Sequence, residues 1–103
     1  MNTQRTFTKD NLDVKRVGYS AEPTGTGEIY LVVNGGEIIV DIESYLGEIA
    51  YESFAFVSDN IDSKCYYYYL DDQSIETVQE YMKDNNIFDK YMDEVYEAVN
   101  QTF

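Results

Sequence analysis

The run from Glu28 to Glu43, Glu-Ile-Tyr-Leu-Val-Val-Asn-Gly-Gly-Glu-Ile-Ile-Val-Asp-Ile-Glu, leaves the chain little choice of local structure. Two β-branched runs flank Asn34-Gly35-Gly36, and Asn-Gly and Gly-Gly accept the positive φ angles of a tight primed turn. The run therefore reads as a β-hairpin. Side chains alternate along a strand, so Ile29, Leu31 and Val33 share one face, and Ile38, Val40 and Ile42 share one face of the returning strand. A turn on Asn34-Gly35 sets Leu31 opposite Ile38; a turn on Gly35-Gly36 sets it opposite Val40. Both registers keep the six apolar residues together, so the buried face is specified while the register stays open. The other face carries Glu28, Tyr30, Val32 and Asn34 on one strand and Glu37, Ile39, Asp41 and Glu43 on the other. All the hairpin's carboxylates fall there.

The acids matter because the whole chain is so negative. Its 103 residues carry 20 Asp and Glu against 7 Lys and Arg, a formal charge of −13. Four of the cations, Arg5, Lys9, Lys15 and Arg16, precede Gly18, leaving eighteen acids and three bases from there on. Such self-repulsion opposes compaction and favours solubility. A content of 44% apolar residues with 11 Tyr and 5 Phe nevertheless supplies one core of modest stability. No apolar run approaches the roughly 20 residues of a membrane span, and no charged-then-apolar leader opens the chain, so a cytoplasmic protein is expected. The lone Cys65, with no histidine to activate it, reads as a small buried hydrophobe opening an aromatic strand.

Residues 1–11 are polar and aperiodic and read as a flexible arm, ahead of one domain over 12–103. Partial alternation over Leu12–Ala21 predicts a first strand, and Glu22-Pro-Thr-Gly-Thr-Gly27 the turn into the hairpin. Gly25-Thr-Gly27 lacks the Lys-Ser/Thr ending of a phosphate loop. Ser44–Ala50 fits either a turn of helix or a connection. Tyr51–Val57 reads as a strand, with Tyr51, Ser53, Ala55 and Val57 alternating against Glu52, Phe54 and Phe56. Ser58–Lys64 connects it to Cys65-Tyr-Tyr-Tyr-Tyr-Leu70, where a strand would set Tyr66 and Tyr68 on one side and Tyr67 and Tyr69 on the other. From Asp71 the period becomes helical. Asp72 or Ser74 can cap, Ile75, Val78 and Met82 form a stripe, and Asp84-Asn-Asn86 breaks it. A second helix over about Ile87–Asn100 carries Ile87, Phe88, Tyr91, Met92, Val95 and Val99 on one side. The expected fold is α+β: an antiparallel sheet of about four strands around the hairpin 28–43, then two C-terminal helices on one face.

The solvent sides of those helices carry rows of one sign. Glu76, Glu80 and Asp84 recur every four residues, as do Asp89, Asp93 and Glu97. Like charges at that spacing cost roughly 0.2–0.5 kcal/mol per pair, and Lys83 and Lys90 offset only part. Four helical residues rise about 6 Å, near twice the roughly 3.4 Å spacing of phosphates along one DNA strand. Such rows can present alternate charges to arginines and lysines that grip a nucleic-acid backbone, while repelling nucleic acid itself. The candidate partner-binding residues are therefore Glu37, Asp41 and Glu43 of the hairpin, Tyr67 and Tyr69, and Glu76, Glu80, Asp84, Asp89, Asp93 and Glu97. Catalysis is not expected: without histidine it would need a carboxylate pair, and the acids isolate none. No cofactor is called for. Asp59 with Asp62, or Asp71 with Asp72, lacks the spaced ligands and central glycine of an EF-hand, so no metal site is assigned.

In size, charge and aromatic content over about residues 18–103, and in no motif, the chain resembles the small acidic proteins by which phages and mobile elements disable host defence, including anti-CRISPR proteins and antirestriction DNA mimics. That resemblance implies an inhibitor binding a basic nucleic-acid-binding protein or ribonucleoprotein nuclease, such as a Cas9-type enzyme whose arginines read the duplex. The alternative is an adaptor or antitoxin-like module whose exposed tyrosines bind protein without imitating nucleic acid.

Overall fold

The computed structural model describes residues 5–59 and 66–102. Five strands, β1 (Arg16–Ala21), β2 (Gly27–Val33), β3 (Gly36–Tyr45), β4 (Glu48–Ser58) and β5 (Tyr67–Tyr69), precede α1 (Asp72–Asp84) and α2 (Ile87–Thr102). The strands form one antiparallel sheet in chain order, β1-β2-β3-β4-β5, so the fold is α+β, with one strand more than the four expected.

The central hairpin turns on Asn34-Gly35, with Leu31 opposite Ile38 and Val33 opposite Gly36. Gly35 takes φ +86°, and a Cβ on Gly36 would lie 2.2 Å from the Val57 carbonyl, so each glycine meets a separate steric demand. The six apolar residues of the hairpin are all buried. A second tight hairpin occupies Ser44–Ala50, in place of the turn of helix or the connection expected there. Leu46 (φ 51°) and Gly47 (φ 83°) are both left-handed, the pattern of a primed turn.

The alternation expected over Tyr51–Val57 breaks at Glu52. Asp41 faces Ser53 but Ile42 faces Tyr51, so Glu52 is an extra, bulged residue. The bulge returns Tyr51 to the side of Phe54, 5.5 Å between ring centroids, where it meets Phe88 edge-on at 5.7 Å.

Both helices cover that side. Val78 and Met82 of α1 and Ile87, Tyr91 and Val95 of α2 are buried against the inner strand residues. The cap of α1 is Asp71, rather than Asp72 or Ser74: its Oδ1 accepts from the Ser74 N–H at 2.8 Å. Ser74 is buried instead, its Oγ accepting the Phe7 N–H at 2.8 Å. This contact corrects the flexible-arm reading for the described part of residues 1–11. Phe7 is 1% exposed in the core, and the Arg5 guanidinium lies 4.9 Å and 5.0 Å over the Phe7 and Phe56 rings. Gly25-Thr-Gly27 serves packing: the buried Tyr91 hydroxyl donates to the Gly25 carbonyl at 2.6 Å. Among the described residues no helix is long and apolar enough to cross a membrane. Cys65, Asp62 and the 60–64 part of the expected connection lie outside the described residues.

Candidate interaction faces

Because both helices pack on one side, no layer lies over the other side of the sheet among the described residues. Its side chains run across the strands in register. One row is Arg16, Val32, Glu37, Val57 and Tyr67; the next is Gly18, Tyr30, Ile39, Ala55 and Tyr69; a third is Ser20, Glu28, Asp41 and Ser53. Neighbouring strands stand about 4.8 Å apart, so each row is a continuous strip. The middle of this face is aromatic and aliphatic and its flank acidic.

Tyr67 and Tyr69, alternate residues of a short edge strand, stack edge to face with centroids 5.6 Å apart. They remain 55% and 63% exposed, large rings presented to solvent. Tyr68, between them, turns inward onto Phe56, and its hydroxyl accepts the Arg5 N–H at 2.6 Å. The Tyr67 phenol is pushed above its ordinary pKa first by its hydrogen bond with Tyr69, then by burial and by the charges of Tyr69, Asp41 and Glu28. Tyr30 is pushed up first by burial, then by its hydrogen bond to Glu28 and by Glu28, Glu37 and Asp41. The phenols therefore sit in the field of the neighbouring carboxylates. Glu28 and Asp41 stand directly opposite each other, a like-charge pairing that weakens a sheet, and the Ser53 hydroxyl donates to Asp41 at 2.8 Å. Glu43 lies farther along β3, exposed, opposite Ala50.

The remaining candidates lie in the helix layer. Glu76, Glu80 and Asp84 of α1 and Asp89, Asp93 and Glu97 of α2 are all exposed, as is Glu94. Their spacing follows from the helical turn, and none is in an ion pair; among the described residues the one salt bridge is Lys15 to Asp13, 2.8 Å. Of the eleven candidates, Glu37, Asp41, Glu43, Tyr67 and Tyr69 thus share the uncovered sheet face, and the six helical acids occupy the layer behind it. The structure gathers the candidates on two faces rather than one.

Sequence reasoning placed Tyr30 and Ile39 on the outer side of the hairpin but did not add them to the site. Their signal was present, since they alternate with the chosen acids. The open flank of β4 carried no such signal, because it depends on the bulge at Glu52 and on β5 spanning only three residues. Asp71 and Asp72, weighed as loose cation ligands, are not free for that role together, because Asp71 is committed to its cap and also accepts from the Thr6 hydroxyl at 3.1 Å. Among the described residues no group of three or more metal-ligating side chains converges. No family model, curated protein or solved structure matches this chain.

Proposed function

We propose that this protein is a small acidic inhibitor of a nucleic-acid-handling host-defence enzyme, anti-CRISPR-like and directed at a Cas9-type nuclease, that occupies the enzyme's basic groove in place of DNA or RNA. The observation that carries this reading is the pair of exposed helical rows, Glu76-Glu80-Asp84 and Asp89-Asp93-Glu97, which have no ion-pair partner among the described residues. A face shaped for stability alone mixes signs; these rows keep carboxylates about 6 Å apart and ready for arginine. The inhibitor acts in the host cytoplasm and performs no chemistry of its own. It does not bind nucleic acid, since its field repels phosphate.

The test is a competition experiment with a guide-loaded Cas9-type nuclease and a labelled duplex target. Preincubation with the protein should abolish duplex binding, and the effect should weaken steeply with added salt. Undiminished duplex binding by a nuclease that visibly retains the protein would refute mimicry.

A second reading has its own observation, the exposed Tyr67–Tyr69 pair on a sheet face with no covering layer among the described residues. Here the protein is an adaptor or antitoxin-like module anchored by aromatic rings. Replacing both tyrosines by alanine should then cost more affinity than reversing Glu76, Glu80 and Asp93; mimicry gives the opposite order.

A further inference from the structure

Edge strands expose unpaired backbone groups unless something covers them. β4 is paired with β3 from Glu48 to Ser58, but with β5 only over Ala55–Val57. The Leu70 N–H to Phe54 carbonyl bond, 3.0 Å, ends the contact on that side as the chain turns into α1. Among the described residues, Glu48–Ser53 therefore has no strand beside it. The register shows which groups face outward. The pair flanking a two-residue turn is hydrogen-bonded, so Tyr45 and Glu48 exchange bonds, and by alternation so do Glu43 and Ala50. Ile49 and Tyr51 must then direct both N–H and C=O away from β3. Their side chains turn toward the helices, where they join Met82, Phe88, Lys83 and Asp89 in lining a groove of about 500 Å³.

We propose that this flank is a docking site for an extended basic segment of a partner protein, which adds to the sheet beside β4. Alternate apolar side chains of that segment enter the groove, and its lysines or arginines lie beside Glu48 and Glu52 on the outer side. Backbone bonds to Ile49 and Tyr51 supply register, and the groove supplies side-chain selection. Charge selects the occupant: Glu48 and Glu52 are exposed and Asp89 lines the groove, against Lys83 alone. A second copy is a poor fit, because it would bring Glu48 and Glu52 of both chains together at −13 each. The site does not depend on phosphate mimicry, since it uses the backbone of β4 rather than the helical rows.

The experiment is amide hydrogen exchange on the full chain, titrated at low salt with a short synthetic peptide alternating lysine and valine. At saturation the Ile49 and Tyr51 amides should exchange roughly tenfold more slowly or better, the scale of one firm hydrogen bond. Ile49→Pro deletes a donor lying outside the β3–β4 ladder and should weaken the peptide roughly tenfold. The same peptide N-methylated along its pairing edge should bind at least as poorly as the proline variant. If the two peptides bind equally, the proposal is overturned, and this comparison holds even if Ile49→Pro does not fold. Failure of the unmodified peptide to bind, or binding without slowed exchange at Ile49 and Tyr51, overturns it as well. So does concentration-dependent protection of those amides in the protein alone, which would assign the flank to a second copy.

Discussion

Reversing the charge at Glu80 tests whether the acidic rows serve binding rather than folding. Glu80 is exposed in the middle of α1, one turn from Glu76 and one from Asp84. Each like-charge pair costs about 0.2–0.5 kcal/mol, so Glu80→Lys, which makes both attractive, gains about 0.8–2 kcal/mol from the two. Lys83, three residues on, then loses an attractive neighbour and meets a repulsive one, returning about 0.4–1 kcal/mol. The net is a stabilisation of about 0.4–1 kcal/mol, which for a domain of this size raises Tm by about 2–8 °C. Lys9 lines the same shallow depression as Glu80, but surface pairs of that kind contribute little. Thermal unfolding followed by circular dichroism at low salt reads the shift directly. In about 1 M salt the screening length falls to about 3 Å and the difference should vanish. A lower Tm, or a shift indifferent to salt, would show that the row is structural. If the rows engage a basic nuclease groove as proposed, the same substitution should weaken that binding, so stability and function move in opposite directions.

Other perturbations probe the frame that holds these faces. Ser74→Ala leaves the buried Phe7 N–H without its acceptor and should cost about 1–3 kcal/mol in urea unfolding. Gly36→Ala places a Cβ 2.2 Å from the Val57 carbonyl and 2.8 Å from the Phe56 ring, so it should unpair β3 from β4 and yield no cooperative transition. Gly47→Ala meets nothing within 4 Å and should cost only the left-handed backbone penalty of about 1–2 kcal/mol. Acid stability should depend on Asp71. The Ser74 hydroxyl, followed by the Ser74 N–H and Thr6, holds its carboxyl below the ordinary carboxylate value of 3.8. A lowered folded pKa gives stability that is present above that ordinary value and lost as pH falls through the folded one, and Asp71→Asn should remove that part of the acid limb. At the alkaline end, burial raises the Tyr19, Tyr51 and Tyr91 phenols above 10.0. Their contribution is complete below about pH 10 and fades as pH rises through the folded values, so phenolate absorbance should appear late and together with unfolding.

What could be read from the letters was whatever a local period controls. The hairpin faces, the helical stripes and the break at Asp84-Asn-Asn86 all follow from side-chain spacing over a few residues. The register did not, because Asn34-Gly35 and Gly35-Gly36 are equally good turns locally; the choice needs Gly36 under the Val57 carbonyl, a contact with a strand beyond the hairpin. The Leu46-Gly47 turn was missed for a related reason. Leucine is a poor left-handed residue, and only the pairing of its flanking strands holds it there, 87% exposed. Glu52 as a bulge, and hence Tyr51 among the helices, left no trace in the pattern except a broken alternation. The arm was misread because a single apolar residue carries no period. Phe7 is anchored by Ser74, sixty-seven residues later. Likewise the candidate acids were each identifiable, but their division between two faces depends on both helices taking the same side of the sheet.

That division constrains how the protein can work. At physiological salt the screening length is about 8 Å, whereas the molecule is 25 Å across even at its narrowest. Carboxylates on the helix layer therefore add almost nothing to a contact made by the sheet face, and the reverse holds equally. Approach is another matter. At about 0.01 M salt the screening length grows to about 30 Å, so the whole charge of −13 steers the encounter. Association rates should consequently respond to acids on either face at low salt, while dissociation rates should respond only to those on the face engaged. Measuring both rates for one reversal on each side, Asp41→Lys and Asp93→Lys, identifies that face without a structure of the complex. If both reversals accelerated dissociation alike, the partner would have to grip the domain from two sides, as a cleft does and a flat surface cannot.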